Sequence, residues 1–353
     1  MTATLKDVAQ RAGVSIKTVS NVVHDYVHVT EEVRKRVHTA LEELNYQPNL
    51  PARYLRNGRV GVLAFAIPDL SNPYFSDLGN AIIAAASARS YTVLIDCTGG
   101  ERAHESLVLD GLRPHLIDGV ILIPFALEPE DLQSRQAKTP LVLLGDHLLD
   151  IDVPYDHLAN SNVAAARLAT NHLLHLGHRR IAAIGNLGAL SIASGAGSLR
   201  RLRGYTQALA EAGLPLDAQL IIQVESHHRM EGTLAMRQLL ALDHPPDAVF
   251  CFNDLLALGA MRALHEAGRR IPDDVAVIGF DDIEEARFAI PSLTTIAPDK
   301  EKIGELAVSF LLGRIDGTRT SQPDRVEVPF RLIVRESTGQ QSMLATFHQE
   351  FGH

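Results

Sequence analysis

The chain has 353 residues, of which 46% are hydrophobic and 21% charged. This composition is typical of a globular protein and excludes bulk disorder, while the length exceeds that of one ordinary domain. No apolar run reaches the length of a membrane span, and the first residues lack the apolar stretch of a secretory signal, so we expect a cytoplasmic protein without a membrane partner.

The net charge of −9 is unevenly distributed along the chain. Residues 1–60 contain nine Lys or Arg against six Asp or Glu, so this segment carries +3 and the remainder −12. A small basic segment attached to an acidic body predicts that only the amino-terminal part approaches nucleic-acid phosphates.

Three short helices are predicted in residues 4–45. The first begins at Thr4, which forms a capping-box pair with Asp7, and it ends at Gly13. Ser15 then caps a second helix over residues 16–23, and the third begins at Thr30. A helix, a tight glycine turn and a second helix form a helix-turn-helix.

The outward face of the second helix carries short polar or branched side chains and one cation: Ile16, Lys17, Thr18, Ser20 and Asn21. Such a face suits the DNA major groove, where hydroxyls reach phosphates, Lys reaches guanine and Asn pairs with adenine. The alternative at this point is a three-helix bundle that binds another protein.

Residues 46–59 contain two prolines and a glycine, which mark a linker. Within it the pattern predicts a two-turn helix over residues 50–57, capped by Asn49. A helix of this length is unstable alone in water, so it needs a partner to fold.

From residue 60 onward, near-continuous apolar runs alternate with helical stretches, which predicts parallel sheets covered on both faces. The predicted strands are 60–67, 91–97, 119–123, 141–145, 181–185, 220–224, 248–252 and 275–280, and the predicted helices are 74–88, 161–176, 203–212, 254–267 and 302–312. Cys97 and Cys251 fall in two of the strands and predict buried thiols rather than a disulfide, as in a reducing compartment.

About 280 residues with roughly eight strands divide naturally into two such layers. Ligands bind these folds at the carboxyl ends of strands, so a cleft between two sub-domains is the expected site. Polar residues follow several of the strands, among them Asp146, Asn253 and Asp281. Asp254 and Asp282 are interpreted as helix caps.

Three segments resemble the amino-terminal region of the lactose-repressor (LacI/GalR) family of regulators: LKDVAQRAGVSIKTVS at residues 5–20, VTEEVRKRV at 29–37 and LNYQPN at 44–49. The resemblance extends to about residue 338. It implies a small all-α helix-turn-helix head (1–46), a hinge helix or linker (47–59), a body (60–340) and a polar tail (341–353). The body is expected to be α/β, with two doubly wound parallel-sheet sub-domains of the periplasmic-binding-protein-like type.

The resemblance also implies the function. We expect a sequence-specific regulator, most simply a repressor, that binds a palindromic operator in double-stranded DNA as a homodimer. In the family the hinge folds on the operator, and a leucine matching Leu55 opens the minor groove. The predicted DNA-binding residues are Thr4, Leu5, Ser15, Ile16, Lys17, Thr18, Ser20, Asn21, His28, Asn49, Leu55 and Arg56.

The resemblance further implies a small polar effector, a sugar first and a nucleobase or nucleoside next, in the cleft of the body. Its predicted contacts are Asn72, Phe75, Asp146, Arg201, His227, Asn253 and Asp281. Arg201 and Asp281 are expected to anchor it from opposite sides. His227 takes the place where relatives often carry a stacking ring, and because the chain has no Trp, either His227 stacks instead or this effector presents a different face.

Other functions fit the pattern less well, and neither a cofactor nor an enzyme activity is expected. His172, His175 and His178 spread around a helix rather than facing one metal. The glycines near 185–197 lack dinucleotide spacing, and the adjacent Asp281 and Asp282 diverge, which makes a poor acid/base pair. The main alternative is a solute-binding protein that serves a transporter. The attached helix-turn-helix head argues against it.

Overall fold

The computed structural model describes residues 3–23, 29–44, 46, 59–110, 116–187 and 196–339. The chain forms two compact units, residues 1–60 and 61–353. The predicted hinge helix and the tail lie outside the described residues.

The amino-terminal unit contains helices α1 (Leu5–Ala12), α2 (Ile16–Val23) and α3 (Glu31–Glu43). The backbone N–H of Asp7 donates to the Thr4 hydroxyl at 3.4 Å, and the backbone N–H of Thr4 donates to the Asp7 carboxylate at 2.8 Å, which together form the predicted capping box. Gly13 ends α1 with φ of 66°, a conformation that glycine adopts without strain. Buried Val8, Val19 and Val37, one from each helix, form the shared core.

The second unit contains two six-stranded sheets within the described residues. The first has the order β11-β5-β4-β3-β1-β2, and its strands are β1 (Val62–Ile67), β2 (Thr92–Cys97), β3 (Gly119–Leu122), β4 (Leu141–Leu144), β5 (Asp156–Asn160) and β11 (Arg325–Val328). The second has the order β12-β10-β9-β8-β6-β7, and its strands are β6 (Ile181–Leu187), β7 (Ile221–Val224), β8 (Ala248–Cys251), β9 (Ala276–Phe280), β10 (Thr294–Pro298) and β12 (Phe330–Ile333). Every pairing is parallel except that between β10 and β12.

Helices cover both sheets. The first sub-domain, built on the first sheet, has α4 (Pro73–Ser87), α5 (Arg102–Leu109), α6 (Pro129–Ser134) and α12 (Lys300–Asp316). The second has α7 (Asn162–His175), α8 (Ala196–Glu211), α9 (Arg229–Leu240), α10 (Asp254–Glu266) and α11 (Glu284–Phe288). Short 3₁₀ turns occupy Ala218–Leu220 and Glu336–Thr338.

Strand β1 shows why its sheet carries helices on both faces. Leu63, Phe65 and Ile67 lie in the core beneath α4 and α12, whereas Ala64 and Ala66 face the opposite core with α5 and α6. A strand buried on both faces is apolar at every position, which is the pattern that the sequence shows.

The chain passes between the two sub-domains three times, after β5, after β10 and after β11. The three crossovers lie side by side. The backbone N–H of Asp299 donates to the carbonyl of Pro329 at 3.1 Å, and the Ser161 hydroxyl donates to the carbonyl of Val328 at 3.5 Å. Together they form the connection between the two sub-domains.

All eight predicted strands are present, but one prediction about them is wrong. Cys251 is buried in β8, whereas Cys97 is exposed at the end of β2. Strand β2 lies at the edge of its sheet, with Leu94 and Ile95 also exposed. An apolar run therefore did not imply burial at this edge.

No helix in the described part of the chain is long and apolar enough to cross a membrane.

Candidate functional site

The predicted DNA-binding face is the exposed side of α2. Ile16 is 49% exposed although it is apolar, and Lys17 beside it is also exposed. Thr18, Ser20 and Asn21 are half-buried at the edge of this face. Ile16 and Lys17 are therefore free to meet a partner surface.

Several predicted contacts of the head also have structural roles. The Ser15 hydroxyl accepts from the backbone N–H of Thr18 at 3.0 Å, and the hydroxyls of Ser15 and Thr18 lie 2.8 Å apart. Thr4 caps α1, and Leu5 packs partly against the head core. His28, Asn49, Leu55 and Arg56 lie outside the described residues, so their predicted roles stay predictions.

A cavity of about 410 Å³ lies between the two sub-domains of the body, at the carboxyl ends of their strands. The seven predicted effector contacts all line it. Asn72, Phe75 and Asp146 come from the first sub-domain, and Arg201, His227, Asn253 and Asp281 come from the second.

A chain of side chains joins the two sub-domains at this cavity. The Asn162 amide, at the first residue of α7, donates to the Asp146 carboxylate at 2.5 Å. The side-chain carbonyl oxygen of Asn162 accepts a hydrogen bond from Nε of Arg201 at 2.7 Å. Asn162 is buried, so both of its polar groups depend on these partners.

The Arg201 guanidinium is held in several ways. It lies 3.7 Å from the ring centroid of Phe280, and Nη1 donates to the carbonyl of Phe252. Nη2 lies 3.9 Å from Oδ1 of Asp281. Because Arg201 and Asp281 are neighbours on one wall, the expectation that they anchor a ligand from opposite sides is wrong. Asp146 is the charged predicted contact on the facing wall.

The carboxylates at the cavity have unused acceptor capacity. Among the described residues, Oδ1 of Asp146, Oδ1 of Asp281 and Oδ1 of Asn160 are buried without a hydrogen-bond partner. Burial raises the pKa of Asp281 to about 6, although Arg201 and Lys300 oppose the shift. Burial likewise raises the pKa of Asp146. A ligand that donates hydrogen bonds would supply what these oxygens lack.

His227 is an uncharged member of the site. Burial lowers its pKa to about 4, and Nε2 donates to the carbonyl of Gly185 at 2.8 Å. The ring is therefore neutral near pH 7, and Nδ1 is its acceptor.

Asn253 lines the cavity, but its side chain is engaged within the protein. Its Oδ1 caps α10 by accepting from the N–H of Leu256 at 2.9 Å, and Nδ2 donates to the carbonyl of His227, also at 2.9 Å. The amide therefore fixes the position of His227 as well as the start of the helix.

The interpretation of Asp254 and Asp282 as helix caps is wrong. Asp254 is fully buried within α10, where its carboxylate accepts from the Thr295 hydroxyl at 2.6 Å and from the N–H of Ile283 at 3.0 Å. Asp282 instead binds Arg335 at 2.5 Å. Asp281 faces the cavity and Asp282 faces Arg335, so the two carboxylates diverge, as the sequence predicted.

Sequence reasoning missed other residues at the cavity, among them Tyr74, Phe125 and Asn160 in its lining and Asn162, which links its two walls. Phe75 packs edge-on against Tyr74 and Phe125, with centroid distances of 5.4 and 6.1 Å. Asn160 ends β5, a strand too polar to be recognised from its apolar content. Its position before the predicted helix at 161–176 was the available signal.

The three histidines of α7 and the turn after it face different partners. His172 lies 3.1 Å from the Thr338 hydroxyl, whereas His178 lies 3.5 Å from Asp247. Among the described residues, no group of three or more metal-ligating side chains could hold an ion.

Both units of the chain match known protein families. Residues 4–49 match the model of bacterial regulatory proteins of the lacI family, and residues 170–338 match a periplasmic binding protein-like domain. The ribose operon repressor of Halalkalibacterium halodurans is 35% identical over 335 residues, which cover 95% of this chain and 97% of that one.

Two further comparisons cover nearly the whole chain. The HTH-type transcriptional repressor CytR of Escherichia coli K12 is 33% identical over 338 residues, covering 95% of this chain and 96% of that one. The Lac repressor dimer bound to operator and the anti-inducer ONPF is 29% identical with a TM-score of 0.78, covering 96% of this chain and 99% of that one.

Proposed function

This chain belongs to the lacI family of bacterial regulatory proteins, a family of DNA-binding transcriptional regulators, and from that premise we propose how it works. It is a cytoplasmic repressor that binds a two-fold operator as a homodimer. A small, uncharged, polar effector in the cleft of the body sets its affinity for that operator. The division into a head (1–46), a hinge (47–59), a body (60–340) and a tail (341–353) belongs to the same proposal.

The observation that carries this proposal is the cavity. Seven residues that are scattered from position 72 to position 281 in the sequence line one cavity between two sub-domains. Its volume of about 410 Å³ lies within the range of small-molecule sites.

The polar atoms at the cavity favour a ligand that donates hydrogen bonds. The unpartnered atoms of Asp146, Asp281 and Asn160 are all acceptors. Arg201 donates to Asn162 and to the carbonyl of Phe252, and the Asp281 carboxylate 3.9 Å from its Nη2 opposes its charge. Hydroxyl groups fit this arrangement, whereas a phosphate or carboxylate would face Asp146 and Asp281. A sugar is therefore our first candidate, and the ribose operon repressor among the relatives agrees with it; a nucleoside is the second.

The cavity binds its ligand without converting it. Asp282, which neighbours Asp281, is committed to Arg335, so these two carboxylates do not form an acid/base pair. Asp146 is held by Asn162.

Exposed apolar side chains on the second sub-domain support the dimer. Phe288 at the end of α11 is 75% exposed and Ile290 is 96% exposed, and Met230 on α9 is also exposed. The Arg229 guanidinium binds Glu285 at 2.9 Å, which ties α9 to α11. Large exposed apolar residues on adjacent elements are typical of a subunit interface.

A thermal-shift panel tests the effector proposal. The panel consists of ribose, glucose, cellobiose and cytidine, each beside its phosphorylated counterpart. We expect a neutral member to raise the Tm and its phosphorylated form to raise it much less, because only binding to the folded state stabilises the protein. Stabilisation by a phosphorylated member alone would contradict the proposed chemistry.

The regulatory link requires a second measurement. With a DNA fragment from upstream of its own gene, a gel-shift titration is repeated with the best ligand, for the wild type and for Asp281→Ala. We expect Asp281→Ala to bind the DNA and to lose the response to ligand, because a buried acceptor for the ligand is gone. Asp243→Ala, on an exposed loop, is the matched control and should respond normally.

A further inference from the structure

The turn after β9 has an unusual backbone. Asp281 and Asp282 have φ values of 115° and 47°, two successive non-glycine residues in the left-handed half of conformational space. Such conformations persist only where the surrounding contacts hold them. The same turn directs Asp281 toward the cavity, so its shape decides where that carboxylate lies.

Several contacts to this turn come from the second sub-domain itself. Asp254 accepts from the N–H of Ile283 at 3.0 Å, and Arg335 binds the Asp282 carboxylate at 2.5 Å. These contacts keep their geometry when the second sub-domain moves as a body.

The contact from Lys300 is different. Its ammonium donates to the backbone carbonyls of Asp281 and Asp282, each at 3.1 Å, and to Oδ2 of Asp77 at 2.6 Å. The Lys300 side chain is only 16% exposed, whereas the Asp77 side chain is 38% exposed.

Lys300 belongs to the first sub-domain. It is the first residue of α12, which packs on α4, the helix that carries Asp77. At Gly304 the two helices approach so closely that a Cβ would lie 2.8 Å from the carbonyl carbon of Ala81. Asp77 and Lys300 therefore move together, and the bonds from Lys300 to the turn join the two sub-domains.

We propose that Lys300 is a positioning residue that makes the shape of the Asp281–Asp282 turn depend on the relative arrangement of the two sub-domains. Rotation about the three crossovers moves the ammonium relative to both carbonyls. When the Lys300 ammonium moves away, the turn loses a charged hydrogen-bond donor and relaxes. The Asp281 carboxylate then changes direction. By reciprocity, a ligand that holds Asp281 favours the arrangement in which Lys300 is engaged.

The same turn leads directly into α11, which begins at Glu284 and ends at the exposed Phe288. A change at the turn therefore reaches the proposed subunit interface within a few residues. The inference rests on the proposed function only in taking Asp281 as an effector contact, and the link between Lys300 and the turn is independent of it.

Two measurements on the effector-free full chain test the inference. Hydrogen exchange followed by mass spectrometry reports the turn and α11 through peptides that cover residues 281–289. Energy transfer between dyes at Glu130→Cys on α6 and Leu216→Cys reports the arrangement of the sub-domains. The second measurement uses a Cys97→Ser background, and labelled chains are diluted with unlabelled ones.

For Lys300→Met we expect exchange in residues 281–289 to accelerate on the order of tenfold, because a charged hydrogen-bond donor is lost. We also expect the distribution of dye distances to shift. Lys300→Arg, which keeps the charge and several donors, should restore part of both effects. Asp77→Asn should act in the same direction but less strongly, and it provides a second test if Lys300→Met does not fold.

Lys302→Met is the matched control, since Lys302 lies on the same helix but pairs with Glu305 on the surface, at 3.3 Å. It should change neither measurement. Faster exchange with an unchanged distance distribution would make Lys300 a local brace and overturn the inference, as would no change in either. Because no ligand is added, these results stay separate from any failure to find an effector.

Discussion

Asp146 and Arg201 lie on opposite sub-domains and are joined through a single side chain, the amide of Asn162. Asn162 stands directly after the first crossover, so the amide sits where the sub-domains meet. An effector that contacts Asp146 and the Arg201–Asp281 wall would span the same junction. The proposed effector would therefore use residues that also hold the two sub-domains together.

Replacing Asn162 tests how strongly this junction is held. In Asn162→Ala, a buried carboxylate and a buried guanidinium each lose a hydrogen bond. We expect a loss of about 2–3 kcal/mol in the free energy of unfolding, measured by urea titration. Asn80→Ala, on an exposed position of α4, should change it by less than about 0.5 kcal/mol. Equal losses in the two variants would show that the junction adds nothing to stability.

The raised pKa of Asp281 predicts a specific pH dependence of stability. Its pKa is about 6 in the folded protein, against an ordinary 3.8. Between these values the folded state keeps a proton that the unfolded state has lost, so stability falls as pH rises from about 4 to 6. The full effect is about 3 kcal/mol.

Urea titrations of the wild type and Asp281→Asn from pH 4 to 7 check this dependence. The stability of the wild type relative to the variant should fall across that window and level off above it. Asp243→Asn, on the exposed loop, should follow the wild type. A constant difference between wild type and Asp281→Asn would mean that Asp281 titrates at an ordinary pH.

Asn21 provides the test of base reading. Placed at the edge of the exposed face of α2, it is predicted to recognise one base pair, with adenine favoured. Asn21→Ala should weaken binding to the best operator by about 1–3 kcal/mol and relax the preference at one position. Binding-site selection on random DNA measures both quantities.

The contrary outcome for Asn21 is equally clear. If Asn21→Ala weakens all sequences alike, the residue contacts phosphate rather than a base. His38→Ala, exposed on α3, serves as the control for general effects on the head.

The proposed subunit interface predicts the oligomeric state. Ile290→Glu places a charge on an almost fully exposed apolar residue, so a folded monomer should tolerate it and a dimer should not. Sedimentation velocity should show a dimer for the wild type and a shift toward monomer for the variant. Leu176→Glu, exposed after α7, should stay dimeric. A tetramer in the absence of DNA would contradict the proposal.

The sequence by itself determined the class of protein and much of the fold. The helices of the head follow from caps and apolar spacing, and the eight predicted strands follow from their apolar runs, although β2 shows that such a run can lie at an exposed edge. The polar residues at strand ends identified the cleft, because parallel strands bring their carboxyl ends to one edge.

The tertiary structure decided what depends on residues distant in sequence. Strand β5 begins with Asp156, whose buried carboxylate is neutralised by Arg314 at 2.8 Å and Arg319 at 3.2 Å, more than 150 positions away. Cys97 is exposed because β2 is an edge strand, a property of strand order rather than of composition. Arg201 and Asp281 lie on the same wall of the cavity because α8 and β9 belong to one sub-domain. Contacts between residues 80 positions apart depend on tertiary packing, which local sequence patterns do not encode.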